Sequence, residues 1–238
     1  MKRLLACLLL LASSAALASE GHGLMYHAEY DLHDKASLQR GARLFVNYCM
    51  GCHGASMMRY SHVARDLGIP EKVAVKNLNF TGQKVGDPMI TAMRPEDGKA
   101  WFGAPPPDLT VVARARGADW LASYLRTFYL DPKRPTGVNN LTFPDVAMPH
   151  VLWELQGWQR AVYAEDGKTI EGLELARPGK LDEAEYAAAV NDLVGFLVYL
   201  GEPVRLERLA LGWKVILFLL LFSWLAWLLK KEYWRDVH

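Results

Sequence analysis

The chain has 238 residues, with 27 Lys and Arg against 26 Asp and Glu and a formal net charge of +1. So even a balance gives no electrostatic grip on nucleic acid. Between two apolar runs at the ends, about residues 19–208 leave room for one domain of ordinary size.

The first run is "MKRLLACLLLLASSAALASE". Lys2 and Arg3 precede an apolar stretch from Leu4 to Ala12, and Ala16-Leu17-Ala18 has the small-residue spacing that a signal peptidase reads. The run is too short for a membrane-spanning helix, and its flank is rich in Ser and Ala. The reading is a secretory signal over 1–18. Cys7 lies inside the apolar stretch, whereas a lipoprotein cysteine stands at its end. Cleavage after Ala18 removes it and leaves a mature chain with only Cys49 and Cys52.

Three helices are predicted in the domain. The first covers 35–48, with Asp34 as N-cap and Leu38, Ala42, Phe45 and Val46 on one face. The second covers 119–129, with Trp120, Tyr124, Leu125 and Phe128 on one side and Pro132 beyond its end. The third covers 182–200. Asp182 and Glu185 form a capping box, Tyr186, Val190, Leu193, Val194 and Leu197 form its stripe, and Gly201 and Pro203 stop it. Stretches 81–110 and 131–180 read as long loops, and few segments alternate as strands do. Three helices with so much loop lack an obvious core of their own, which predicts a chain folded around something.

The second apolar run ends the chain. Val215 to Leu229 carries no charge, and extension back to Leu209 gives a helix roughly 31 Å long, enough for a bilayer core of about 30 Å. Lys214 sits near the edge, where its stem reaches the headgroups, and Trp213, Tyr233 and Trp234 lie where interfacial aromatics lie. The reading is a membrane anchor over 209–229 with a tail at 230–238. Lys and Arg are balanced on the two sides of this helix. The signal peptide breaks the tie: the domain at 19–208 is expected on the periplasmic side of a bacterial inner membrane, and the tail in the cytoplasm. Without signal and anchor, the domain carries a charge of about −3.

The first helix leads into "VNYCMGCHGAS". Cys49-Met50-Gly51-Cys52-His53 is the C-x-x-C-H pattern of c-type haem attachment. Two thiols add across the two porphyrin vinyl groups. Two intervening residues let one turn bring both sulfurs to the ring edge. His53 then projects beneath the ring, where a neutral imidazole nitrogen binds iron, and Gly51 permits close approach of the backbone. A redox dithiol wants a strand before it and a helix after it, and a zinc site wants further ligands. Neither fits.

The sixth iron ligand comes from the opposite face. Met50 lies inside the attachment turn, and Met57 and Met58 follow it too closely. Met148 in "FPDVAMPHV" is held out of helical geometry by Pro149, so a loop can lay it over the ring. Met93 and His150 are the alternatives. A Met/His pair makes a high-potential electron-transfer haem with no open coordination position.

With these residues in hand, the sequence resembles the cytochrome c1 family, the haem subunit of the quinol–cytochrome c oxidoreductase. The likeness runs through "LQRGARLFVNYCMGCH", "PPDLTVVARARG", "VAMPHVLWELQG", "VNDLVGFLVYLGEPV" and the C-terminal helix with its basic tail. It implies a mainly α c-type cytochrome fold with long loop insertions around one covalent haem c, plus one C-terminal transmembrane helix. It implies Met148 as sixth ligand, Arg116 at a haem propionate, and Pro106, Pro107 and Leu109 along the haem pocket. It implies cytochrome b and the Rieske iron–sulfur protein as partners in a dimeric complex. The Rieske protein delivers one electron, and a soluble or membrane-bound cytochrome c takes it away. The chain serves a quinol–cytochrome c reductase without a quinol-oxidising site of its own. The alternative is a free-standing anchored cytochrome shuttle, or the haem subunit of an oxidase or dehydrogenase. A shuttle wants a long tether, whereas only about eight residues separate Leu200 from Leu209.

Residues 161–190 hold seven acidic side chains, Glu165, Asp166, Glu171, Glu174, Asp182, Glu183 and Glu185, against Lys168, Arg177 and Lys180. A charge run is ordinarily a solvated face. Its functional reading is a surface that steers a basic cytochrome c.

Overall fold

A computed structural model describes residues 26–81 and 84–236; the signal reading over 1–18 and Cys7 fall outside them. Helix α1 spans Lys35–Leu44, and the Asp34 side chain accepts from the Ser37 N–H, as its cap position predicts. The helix does not run on unchanged to Tyr48. Residues Phe45–Cys49 form a π turn, in which the Met50 N–H bonds the Phe45 carbonyl at 3.0 Å. The wider turn carries one residue more than periodicity counts on, and it delivers Cys49, buried, to the attachment segment.

Next come strand β1 (Ala55–Arg59), helices α2 (Tyr60–Leu67) and α3 (Glu71–Leu78), strand β2 (Pro88–Met89) and helix α4 (Pro95–Phe102). β1 and β2 pair antiparallel, with Ala55 opposite Met89. Helices α5 (Val112–Arg116) and α6 (Ala118–Arg126) meet at Gly117, whose φ of 89° favours glycine. The second expected helix thus ends at Arg126, because Phe128–Leu130 is strand β3, paired with β4 (Val138–Asn140).

The largest departure lies at 131–180. After the short helix α7 (Trp153–Gln156), strands β5 (Gly157–Tyr163) and β6 (Ile170–Pro178) form a seven-pair antiparallel hairpin. Two bulges interrupt its register, and most of its residues face solvent. A ribbon so exposed needs no apolar alternation, so period-two reading passed over it.

Helix α8 (Glu183–Gly201) has the capping box between Asp182 and Glu185, and its stripe from Tyr186 to Leu197 is buried. It is the spine of the head. Gly41 of α1 crosses it so closely that an added Cβ would lie 2.1 Å from the Asp192 carbonyl oxygen. Arg40 clasps the Asp192 carboxylate through two bonds, of 2.6 and 2.9 Å, beside that crossing. Leu121, Ala122 and Leu125 of α6 close the same core, which also takes in Phe45, Tyr60 and Leu67. Burying a side chain such as Phe196 stabilises by about 2–3 kcal/mol. The expectation of a chain without its own core is therefore corrected: the helices share one, and a smaller cluster of Phe128, Val138 and Val146 sits beside it.

Helix α9 (Arg205–Tyr233) leaves the head after only three residues. None of it is buried, and its length and hydropathy suffice to cross a membrane.

Candidate haem site

The attachment segment is a tight turn. The amides of Cys52 and His53 both bond the Cys49 carbonyl, at 3.0 and 2.8 Å. Cys49 is buried, Cys52 is half-buried, and both are free thiols. Burial pushes the Cys49 thiol up to about 12, with Cys52 adding to the effect, and it raises Cys52 as well. A dithiol built for exchange has a lowered thiol pKa, the opposite direction from this pair. Among the described residues no group of three or more His, Cys, Asp or Glu is placed to hold a metal ion, so a zinc cage of such residues is not formed either.

His53 is nearly buried, and its Nδ1 lies 2.7 Å from the Pro107 carbonyl oxygen. A carbonyl only accepts, so Nδ1 carries the proton and Nε2 keeps its lone pair for a metal. Burial lowers the His53 pKa against the opposing pull of the Pro107 carbonyl and Asp108, which keeps the imidazole neutral.

The proline loop that supplies this carbonyl is itself laced to the attachment turn. The Leu109 N–H bonds the Gly54 carbonyl at 2.8 Å. Asp108 accepts from the Ser56 N–H at 2.7 Å and from the Thr110 N–H and hydroxyl at 2.9 and 2.5 Å. Thr91 reaches the Gly51 carbonyl from the segment after β2. Pro106 packs on α4 so tightly that a Cβ on Gly98 would lie 2.6 Å from its ring. Nothing local in the sequence marks Asp108 or Thr91 as partners of the attachment turn. "DLT" was legible as an aspartate able to cap its own turn, but its long-range bond to Ser56 was not.

The methionines separate by environment. Met58 and Met89 are buried in the main core, and Met50 is buried with its sulfur 3.6 Å from the Tyr60 hydroxyl. Met57 is exposed. Met93 packs beside Gly98 and the proline loop, with the elements that hold His53. Met148 belongs to the other cluster, half-buried, and its sulfur accepts from the Tyr124 hydroxyl at 3.3 Å. His150 is enclosed, stacked on Phe128 at 5.0 Å and edge-on to Trp158 at 5.9 Å. Burial drives its pKa down to about 4 against a Gly157 backbone hydrogen bond.

Tyr124 does more than complete a helix stripe. Helix α6 has two working faces: Leu121, Ala122 and Leu125 join the main core, while Tyr124 joins both clusters. Its ring stacks on Trp120 at 5.0 Å and meets the edge of Phe128 at 5.2 Å. The Arg116 guanidinium lies 5.1 Å from the centre of the Trp120 ring and 5.9 Å from that of Phe143. Arg116 is exposed and has no carboxylate within 4 Å among the described residues. A cation held by ring faces alone keeps its donors free for an anionic group.

Two neutral thiols on one turn, a neutral imidazole with a free Nε2 and a thioether in a separate cluster form a donor set that fits a covalently attached haem.

The Cytochrome C1 family model matches residues 25–237. A protein named cytochrome c1 from Allochromatium vinosum is 51% identical, with 100% of this chain and 99% of that one covered. One from Nitrosomonas europaea, named ammonia monooxygenase gamma subunit, is 49% identical over 97% of this chain and 96% of its own length. Cytochrome c1 of Rhodospirillum rubrum is 27% identical over 97% of this chain and 94% of its own. On the family match and the extent of these likenesses, the chain belongs to the cytochrome c1 family.

Proposed function

We propose that this chain takes single electrons from a Rieske iron–sulfur protein and hands them to a soluble or membrane-bound cytochrome c, beside cytochrome b in a dimeric quinol–cytochrome c oxidoreductase. As a cytochrome c1 it is the haem subunit of that respiratory electron transfer and carries one covalently bound haem c. When bound, the group would supply a one-electron couple. Cys49 and Cys52 would be the attachment thiols, His53 and Met148 would donate to the iron, and Arg116 would partner a propionate. The Pro107 carbonyl fixes the His53 tautomer, and Tyr124 fixes the Met148 sulfur. Neither donor exchanges a proton in this arrangement, which suits an electron relay rather than bond chemistry.

The observation that carries the reading is the sourcing of the donors. One comes from the proline-braced turn and the other from the β3–β4 cluster, each oriented by its own hydrogen bond. A free shuttle is less well supported. Three residues join α8 to α9, and Glu202 grips Arg208 across the junction at 2.5 Å. Such a head needs partners that come to it. Helix α9 is read as the anchor, with the head periplasmic and residues 230–238 cytoplasmic.

The test is stopped-flow reduction of the haem in the purified complex after quinol addition. With an intact Rieske protein the haem reduces within turnover time, and without its iron–sulfur cluster the haem stays oxidised. Equal reduction in both would overturn the relay order.

A further inference from the structure

The junction between the head and α9 carries charge that the electron-transfer reading does not use. α8 ends at Gly201, and the chain turns through Glu202, Pro203 and Val204 into α9 at Arg205. Helix α5 of the head is packed against this turn. A Cβ on Gly201 would lie 3.2 Å from the Arg114 Cγ, so the Arg114 stem is laid across the end of α8. A cavity of about 130 Å³ opens there, lined by Tyr30, Arg114, Glu202 and Arg205 with small apolar neighbours.

We propose that this cavity holds the phosphate of an anionic glycerophospholipid between Arg114 and Arg205. Charge is the first argument. Neither Arg114 nor Arg205 has a carboxylate within 4 Å among the described residues, and the Arg205 guanidinium reaches the Tyr30 hydroxyl at 3.5 Å. The one carboxylate in the lining, Glu202, bonds Arg208, and Arg114 and Arg205 add more weakly to the positive field that lowers its pKa. Counting Glu207 on the first turn of α9 as well, three arginines face two carboxylates, which leaves one positive charge in excess at the junction.

Depth is the second argument, and it rests on α9 being the anchor. Arg205 precedes Leu209, where the uncharged stretch begins, by four residues or roughly 6 Å of helix. A headgroup layer is about 5–7 Å thick on each side of the hydrocarbon. The cavity therefore opens at phosphate depth, whichever side of the membrane the head occupies. Below it, the exposed side chains of Leu209 and Trp213 offer an acyl chain a continuous apolar surface. Two guanidinium groups over an apolar helix match one amphiphile, a phosphate with its tail.

The test uses the full-length, haem-loaded chain in detergent, titrated with phosphatidylglycerol and read by native mass spectrometry. Wild type should bind one such lipid in preference to phosphatidylcholine. Arg114→Gln with Arg205→Gln should weaken binding about 25-fold, at about fivefold per arginine. Arg114→Lys with Arg205→Lys should keep most of it, and Arg235→Gln at the far end of α9 should change nothing. If the double glutamine variant loads haem poorly, each single variant should still show its fivefold loss. Binding equal to wild type in the glutamine variants overturns the proposal. Displacement of the lipid by millimolar inorganic phosphate assigns the cavity to free phosphate and overturns it as well. Carbonate washing of membranes reads the anchor separately: glutamine variants that stay in the membrane but lose the lipid support the site. Wild type that washes off overturns the anchor and this proposal together.

Discussion

The Tyr124 hydroxyl donates to the Met148 sulfur at 3.3 Å, and it does so from a ring held between Trp120 and Phe128. On the proposed ligation by Met148, a hydroxyl that draws electron density from the thioether would weaken its donation to iron and favour the reduced state. Tyr124→Phe is expected to leave the haem attached and to lower its reduction potential by tens of millivolts. Met148→Leu is expected to lower it much further, by a sizeable part of the roughly 0.8 V range that axial ligands span. Potentiometric titration of the attached haem checks both. Unchanged potentials in the Met148 variant would assign the sixth position to another residue.

Cys49→Ala and Cys52→Ala should each weaken or abolish covalent retention of haem, seen as loss of haem stain on a denaturing gel. Helices α1, α6 and α8 keep their own core, so these variants should lose the attachment turn and the Met148 cluster first. Proteolysis is expected to begin in 49–59 and 138–150 and to lower the steady-state amount of protein. A haem-free variant as protease-resistant as wild type would mean that haem is not part of the fold.

Asp108 ties the proline loop to the attachment turn. Burial alone raises its carboxyl pKa, but bonds from Thr110 and Ser56 bring it below the ordinary value of 3.8. A depressed native pKa adds stability above the unfolded value, and that stability is lost as pH falls through the native one. Asp108→Ala should cost about 2 kcal/mol at pH 7, reduced from the full value of its charged hydrogen bonds by partial exposure. The gap to wild type should shrink below about pH 4. Urea unfolding at pH 7 and pH 3 checks the sign.

Deleting residues 209–238 should release a haem-loaded head with a near-normal Soret band, since every proposed ligand lies before residue 149. Quinol-dependent turnover should fall to background through loss of assembly. Sedimentation of washed membranes distinguishes the outcomes. A truncated head that stays bound would show that partner contacts hold it without α9.

The acidic run at 161–190 is less free than its composition suggests. Asp166 accepts from the Lys168 and Thr169 amides and the Thr169 hydroxyl, which makes it a turn brace of the β5–β6 hairpin. Glu174 pairs with Arg160 across that hairpin, and Asp182 and Glu185 cap α8. Glu165 and Glu171 are exposed, with no cation within 4 Å among the described residues. Converting these two to Gln should slow reduction of a basic cytochrome c several-fold at low salt and leave the rate unchanged at high salt. A rate insensitive at every salt concentration would make the hairpin a solvated face.

The sequence by itself determined what is local. The spacing of Cys49, Cys52 and His53, the caps at Asp34 and Asp182, the stripe of α8 and the apolar length of α9 are all set by neighbours a few residues apart. Chain order and chemistry are enough to read such features. The tertiary structure decided what depends on distant partners. Pro107 lies 54 residues from the imidazole it orients, Tyr124 lies 24 from the sulfur it meets, and Asp108 lies 52 from Ser56. The π turn at Phe45–Cys49 and the β5–β6 hairpin escaped periodicity for a related reason. The turn is a one-residue change of helical pitch that follows packing, and the hairpin is held by backbone ladder bonds along faces too exposed to leave an apolar pattern.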